Sequence, residues 1–213
     1  YLDNGIDLLM CLRGDLPYGW TGTNGDFHYA TELVRYVRSE FGDRFTIAVA
    51  GSPEGHIACR SQQADIGFLK QKQDEGADYI MTQLCWDFDQ FTRWYDEIRT
   101  AGITLPVDVG IMPVLSPTAT INMALSHNGC VIPHDLACLI SDHWIFPNPF
   151  APDEADESVK QKLADFKKAG IEYTVNQIDR YRMFDIAGLH FYALNAYEDV
   201  TTLIKAAGIR DLA

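Results

Sequence analysis

Apolar positions along this chain follow two rhythms. Short runs that are continuous or alternating, "GIDLLMCLRGD", "FTIAVAG", "DYIMTQLCWD", "LPVDVGIMPV" and "GLHFYALN", read as strands. Between them lie longer stretches whose apolar residues recur every three or four positions, the spacing of one helical face. In "FHYATELVRYVRSEFG" these are Ala30, Leu33, Val34 and Val37; in "FDQFTRWYDEIRTAG" they are Phe91, Trp94, Tyr95 and Ile98. "SQQADIGFLKQKQDEGA" reads as a polar helix closed by Gly76, and "SPTATINMALSHNG" and "AYEDVTTLIKAAG" read as further helices. A long helix is expected over much of Glu154 to Ile186, after the break "PNPFAPDEADE". The stretch from Ile132 to Pro152, rich in aromatic residues and proline, has no clear period.

Alternating strands and helices imply a parallel sheet with helical crossovers, so the fold class is α/β. Polar residues recur where the strands end: Arg13 and Asp15, Ser52 and His56, Gln83 and Asp87, Ser116, Asn195. Such residues around one mouth point to the active face of a (β/α)8 TIM barrel, although about five strands are legible where that architecture has eight. At 213 residues the chain is expected to form a single domain, 1–213.

Composition narrows the function. A formal net charge of -13 argues against a nucleic-acid or anionic-membrane surface, since both demand a basic face. No apolar run reaches the roughly 20 residues that span a bilayer. The 5 cysteines include no CxxC pair, which fits a reducing, cytoplasmic setting, with Cys11 and Cys85 as packed thiols. The 6 histidines show no metal-ligand spacing. GxGxxG, the P-loop and GxSxG are all absent, so any dinucleotide must be held by other amides and side chains.

Individual residues leave alternatives open. The pair Arg13 and Asp15 at a strand end reads as a loop salt bridge or as an electrostatic device in a pocket. His56 after "SPEG" reads as a surface histidine or a ligand contact. Gln83 in "YIMTQLCW" falls on the face opposite its neighbours, where its amide either caps a core network or reads a heterocycle. Lys72 reads by default as a solvated charge or a partner of the helix C-terminal dipole.

Taken in order, "LRGDLP", "YATELVRYVRSEFGDRFTIAVAGSPEGH", "ADIGFLKQKQDEGADYIMTQLCWD", "VGIMPV" and "LHFYALN" resemble methylenetetrahydrofolate reductases over nearly the whole chain. The resemblance implies FAD as cofactor and NADH or NADPH as co-substrate, with a folate substrate: 5,10-methylenetetrahydrofolate is reduced to 5-methyltetrahydrofolate. It implies that Arg13, Gly14 and Asp15 contact the flavin, with Asp15 also near the folate, where its charge favours the cationic iminium formed on ring opening. It further implies that Tyr29 and Ala30 contact FAD, and that His56, Asp65 and Lys72 hold its ribose, phosphates or adenosine. Gln83 corresponds to the amide that binds the pterin of folate and the nicotinamide, one position serving both substrates in turn, and ping-pong kinetics follow. A homo-oligomer is common in the family.

The chain departs from that pattern. Ser52 stands where bacterial members carry tyrosine, Ala119 and Met123 where they carry glutamine and phenylalanine near the folate, and Ala196 where "LNR" is common. The resemblance also implies an incomplete barrel lacking about the first three strands, and with them the glutamate taken as general acid. Two other readings therefore stand beside the reductase: a catalytically impaired flavin- or folate-binding relative, and a member that oxidises methyl-tetrahydrofolate in one-carbon catabolism.

Overall fold

The computed structural model describes residues 1–16, 19–23, 25–126, 128–144 and 157–209. Pro17, most of the proline-rich break and the expected helical residues 154–156 lie outside the described residues. Five strands, β1 (Leu8–Cys11), β2 (Thr46–Gly51), β3 (Tyr79–Thr82), β4 (Val107–Ile111) and β5 (Gly188–Phe191), lie side by side in sequence order. Each falls inside one of the five apolar runs. The β1–β2, β2–β3 and β3–β4 ladders are parallel, so each pair needs a crossover, and helices supply it. These are α1 (Ala30–Phe41), α2 (Gln62–Asp74) and α3 (Phe88–Thr100); α4 (Pro117–Leu125), α5 (His134–Asp142), α6 (Glu157–Tyr181) and α7 (Tyr197–Ala206) complete the order. The α/β class with a parallel sheet is the expected one and agrees with a TIM-barrel-like fold. Helix α5, His134–Asp142, lies inside the stretch from Ile132 to Pro152 that shows no clear period in the sequence.

Contacts divide the chain into two compact units, the first made of Tyr1–Gln83, Gln90–Val109 and Ile186–Gly188, the second of the remainder. In the first unit, Ile47 and Val49 of β2, Ile80 of β3 and Val107 of β4 are fully buried. Covering them are the apolar stripes of the helices: Val34 and Val37, Ile66 and Leu69, and Phe91, Trp94 and Ile98. Full burial of each such side chain is worth about 1.5–3 kcal/mol, so the stripes rather than surface charges hold the layers together.

Charged side chains in this unit do a different job at the turns that lead into the strands. Arg38 donates to the carbonyls of Gly42 (2.8 Å), Phe45 (2.9 Å) and Gly76 (2.8 Å) and pairs with Asp78. Asp78 in turn accepts from the backbone N–H of Ile47 (2.6 Å). Arg99 likewise donates to the carbonyls of Ile103 and Leu105, both at 2.9 Å, and Gln73 accepts from the N–H of Thr104 (2.7 Å). Past a helix end the backbone has carbonyls and N–H groups without ladder partners, and these side chains donate to the former and accept from the latter where helix turns to strand. Arg35 and Glu75 also pair, at 2.5 Å, but Arg35 is 62% exposed. An exposed pair of that kind contributes at most about 1 kcal/mol, so Arg38 is the residue that fixes the turn.

In the second unit, Leu84, Trp86, Met112, Val114, Leu136 and Phe166 belong to one buried cluster. Helix α6 closes on it through backbone contact as well as side chains. The Val114 N–H donates to Thr174 Oγ1 (3.2 Å), whose hydroxyl donates to the Gly170 carbonyl (2.8 Å). A Cβ at Gly170 would run into the Val114 carbonyl, so only glycine permits this approach. One turn further on, Gln177 and Tyr181 both donate to the Cys85 carbonyl, at 2.9 and 2.7 Å. Gly170→Ala is expected to destabilise the protein by about 3 kcal/mol, the upper range for overpacking a tight interior, read as a fall in the urea midpoint.

Candidate functional site

In the first unit the segments after β1, β2 and β3 all leave the same edge of the parallel ladder, where parallel α/β folds carry their chemistry. Eight of the nine residues singled out in the sequence lie on or just past these segments, and Lys72 lies late in α2.

The turn after β2 is the best defined. Ser52 accepts through its carbonyl from the Gly55 N–H (2.9 Å), and Gly55 holds φ +82°, a conformation that suits glycine. The Pro53 carbonyl accepts from Gln62 Nε2 (3.2 Å) and Gln90 Nε2 (2.9 Å), which ties the turn to α2 and α3. The next turn, 56–59, is closed by the Cys59 N–H donating to the His56 carbonyl at 2.8 Å. Within it the Ala58 N–H donates to His56 Nδ1 (3.1 Å). An Nδ1 that accepts leaves the proton of the neutral ring on Nε2, so exposed His56 presents a donor outward.

Asp65, in the first turn of α2, receives this loop with both carboxylate oxygens. Oδ2 accepts from the His56 N–H (3.2 Å) and Oδ1 from the Cys59 thiol (3.4 Å). Lys72, two turns along the same helix, donates from Nζ to the Ala50 carbonyl of β2 (2.9 Å). Burial lowers the pKa of Lys72, with the charges of Asp65 and then Cys59 opposing that shift. Lys72 is therefore not the solvated charge that its helical position alone implies. Burial raises the Cys59 pKa, as do the Asp65 charge and hydrogen bond, while Lys72 and Arg13 pull it down. Arg13, His56, Cys59, Asp65 and Lys72 thus form one electrostatic neighbourhood. Cys59 is the member missed in the sequence: a single thiol in a polar turn gives no periodic or spacing signal.

The other candidates sit around this group. Gly14 takes φ +75° and its carbonyl accepts from Arg13 Nε at 3.2 Å. Asp15 is exposed. Tyr29, also exposed, is the N-cap of α1, and Ala30 is its first residue. Glu32 accepts from the N–H groups of His28 (2.6 Å) and Tyr29 (3.2 Å), which secures that helix start. Gln83 follows β3, half-buried, with its N–H on the Gly51 carbonyl at 2.8 Å. Tyr79, Met81 and Gln83 share one half-buried face, while Ile80, Thr82 and Leu84 are buried on the other, as the alternation predicts. Strand β2 lies between β1 and β3, so Asp15 and Gln83 follow strands that are not neighbours.

Among the departures, Ser52 is half-buried at the end of β2. In the second unit, Ala119 is exposed in the first turn of α4, Met123 packs against the buried cluster, and Ala196 is the N-cap of α7. Just before Ala196, Leu194 and Asn195 both adopt positive φ, +43° and +67°. Asparagine tolerates that region, but a leucine there is strained, a condition that concentrates at functional rims.

A sequence model of the family described as methylenetetrahydrofolate reductase matches residues 1–208. Methylenetetrahydrofolate reductase 1 of Schizosaccharomyces pombe is 35% identical over 212 residues, covering 98% of this chain and 32% of that protein. Methylenetetrahydrofolate reductase (NADH) 1 of Arabidopsis thaliana is 31% identical over 220 residues, covering 98% and 34%. The probable NADPH form of Caenorhabditis elegans is 28% identical over 206 residues, covering 96% and 28%. The chain thus spans about a third of the length of these curated relatives. Among solved structures, a protein from Clostridium thermocellum, described as uncharacterized and binding two copies of 5-methyl-5,6,7,8-tetrahydrofolic acid, aligns with a TM-score of 0.50. That match has 11% identity and covers 89% of this chain and 62% of the other; at that identity it speaks to the fold.

Lys72 carries a testable pH signature. Its folded pKa lies below the unfolded value of about 10.4, so its native state sheds the proton first as pH rises. The resulting stability is fully present above the unfolded pKa and is lost as pH falls through the folded pKa. Urea midpoints at pH 7 and pH 10 are expected to show a smaller alkaline gain in Lys72→Met than in the wild type.

Proposed function

The chain belongs to the methylenetetrahydrofolate reductase family, and from that premise we propose that it reduces 5,10-methylenetetrahydrofolate to 5-methyltetrahydrofolate with NADH or NADPH, using FAD. The reading is carried by one observation: Arg13, His56 and Lys72 gather as cations or donors after β1, after β2 and on α2, in the unit that also carries Asp15 and Gln83. That donor set fits a dinucleotide. Arg13 and Lys72 are suited to diphosphate oxygens, and His56 offers an Nε2–H donor to a phosphate or ribose oxygen. Leu12, Trp20, Tyr29 and Ile57, all exposed, add apolar surface in the same β1–α1 and β2–α2 segments. A flat aromatic group is what such a surface takes up.

FAD, when bound, supplies the capacity to take up and deliver hydride. Each protein side chain then has a limited task. Arg13, His56 and Lys72 bind and orient. The Asp15 carboxylate lowers the energy of positive charge that develops on the folate as its imidazolidine ring opens. Gln83 offers a neutral donor and acceptor, which a pterin edge and a nicotinamide amide can each satisfy in turn. Two relatives named for different donors, NADH and NADPH, support a pyridine nucleotide without choosing between them. The solved structure described as binding 5-methyl-5,6,7,8-tetrahydrofolic acid supports a folate substrate.

We also propose that β1 pairs with further strands in the longer protein, as an incomplete barrel requires. What supports this is the apolar side of β1 and its flanks: Ile6, Leu8, Met10 and Leu12 are 36–51% exposed at the edge of the sheet. A bare apolar edge is a liability that folds normally cover.

The function is tested by absorbance. The purified protein is expected to be yellow and to bleach with NADH or NADPH, and a protein carrying the additional strands to recover colour on addition of methylenetetrahydrofolate; a colourless protein that does not take up FAD would overturn the reading. Asp15→Asn is expected to retain flavin and the bleaching step while slowing recovery with folate by roughly 10-fold or more, the scale of one lost electrostatic stabiliser. For the edge, Leu8→Lys is expected to leave the urea midpoint of the 213-residue chain nearly unchanged. In a protein carrying the additional strands it should cost about 2 kcal/mol or more.

A further inference from the structure

We propose that Cys59 and Asp65 form a clasp that positions His56, so that Cys59 acts as a positioning residue of the cofactor site; the proposal rests on the functional reading above. Both carboxylate oxygens of Asp65 are engaged by the 56–59 turn, Oδ2 by the His56 N–H and Oδ1 by the Cys59 thiol. The turn is further closed by the Cys59 N–H on the His56 carbonyl at 2.8 Å. With its two ends pinned to the first turn of α2, the turn fixes the backbone that carries His56, and the Ala58 N–H on Nδ1 leaves Nε2–H as the ring's outward donor. Asp65 is thus occupied within the protein. Its work is to hold the residue that touches the ligand.

The thiol is matched to this role. A thiol is a weak donor with no charge of its own, and Cys59 is half-buried beside the Arg13 and Lys72 cations. Were it ionised, it would lose the proton that reaches Asp65 and set two anions side by side. Burial and the Asp65 carboxylate both keep the proton on sulfur. Alanine in its place would leave Oδ1 without that donor and the far end of the turn without its anchor, whereas serine would keep a hydroxyl donor at the same position.

Two measurements on the purified full chain test the clasp. The first is the pH profile of Cys59 alkylation by N-ethylmaleimide, mapped by mass spectrometry. In Asp65→Asn the profile is expected to move to lower pH, because the charge that holds the proton on sulfur is gone. The second is FAD titration of the apoprotein by fluorescence. Cys59→Ala is expected to weaken FAD roughly three- to tenfold, the scale of one hydrogen bond, and Cys59→Ser to restore binding to within about twofold of the wild type. A merely structural role would not be rescued in this way at equal urea midpoints. An alkylation profile unmoved by Asp65→Asn overturns the clasp. A profile that moves while Cys59→Ala binds FAD like the wild type overturns the positioning role. If the wild type takes up no FAD, the functional reading fails, and the alkylation profile still decides whether the clasp exists.

Discussion

Parallel pairing is the constraint from which the first unit follows. Strands that run the same way cannot be joined by tight turns, so each must be followed by a helix that returns the chain to the starting edge. The two edges of the sheet therefore receive different kinds of turn. Turns entering the strands are bound up in helix ends, and their charged side chains are consumed there: Arg38 on three carbonyls, Arg99 on two. Segments leaving β1 and β2 keep charged and polar groups, Arg13, Asp15 and His56, exposed. Side chains spent on the scaffold and side chains left exposed are thus separated by strand direction, the division that barrel enzymes use to part stability from chemistry.

That division explains how residues of similar type differ in role. Arg38 and Arg13 are both arginines near strand ends. The side chain of Arg38 is only 17% exposed and fully engaged with backbone, so it is part of the scaffold. Arg13 is exposed, and among the described residues its hydrogen bond runs from Nε to the carbonyl of its neighbour Gly14. Lys72 is intermediate: an ammonium drawn down to a β2 carbonyl, where the effect of burial outweighs the opposing charge of Asp65.

Much of this was legible in the chain and some was not, for physical reasons. All five strands lie inside the runs marked by apolar pattern: β2 and β4 are apolar because they are buried, while β1 is apolar though largely exposed and β5 is half-buried. Helix α5 escaped because prolines and aromatic residues around it mask its short stripe, Leu136 and Ile140 at a spacing of four, behind Pro133 at the N-cap. The burial of Lys72 depends on a carbonyl 22 residues earlier, and a local pattern contains no information on such a partner. The same holds for Cys59, whose partner Asp65 is visible in sequence but whose shared turn is not. The site roles expected of Arg13, Gly14, Asp15, Tyr29, Ala30, His56, Asp65, Lys72 and Gln83 rest on family resemblance, since spacing alone leaves Arg13, Asp15, His56, Lys72 and Gln83 with a bland alternative and does not single out the others.

The clamp of α6 on the β3–α3 segment has a consequence for the order of assembly. The Cys85 carbonyl receives its donor from Tyr181, 96 residues later, and Val114 its hydroxyl from Thr174, 60 residues later. A chain emerging from the ribosome amino end first can register β1, β2 and β3 with their helices long before those partners have been made. The second unit then closes later in biosynthesis, and the Cys85 carbonyl and the Val114 N–H meet these partners once the long helix is released.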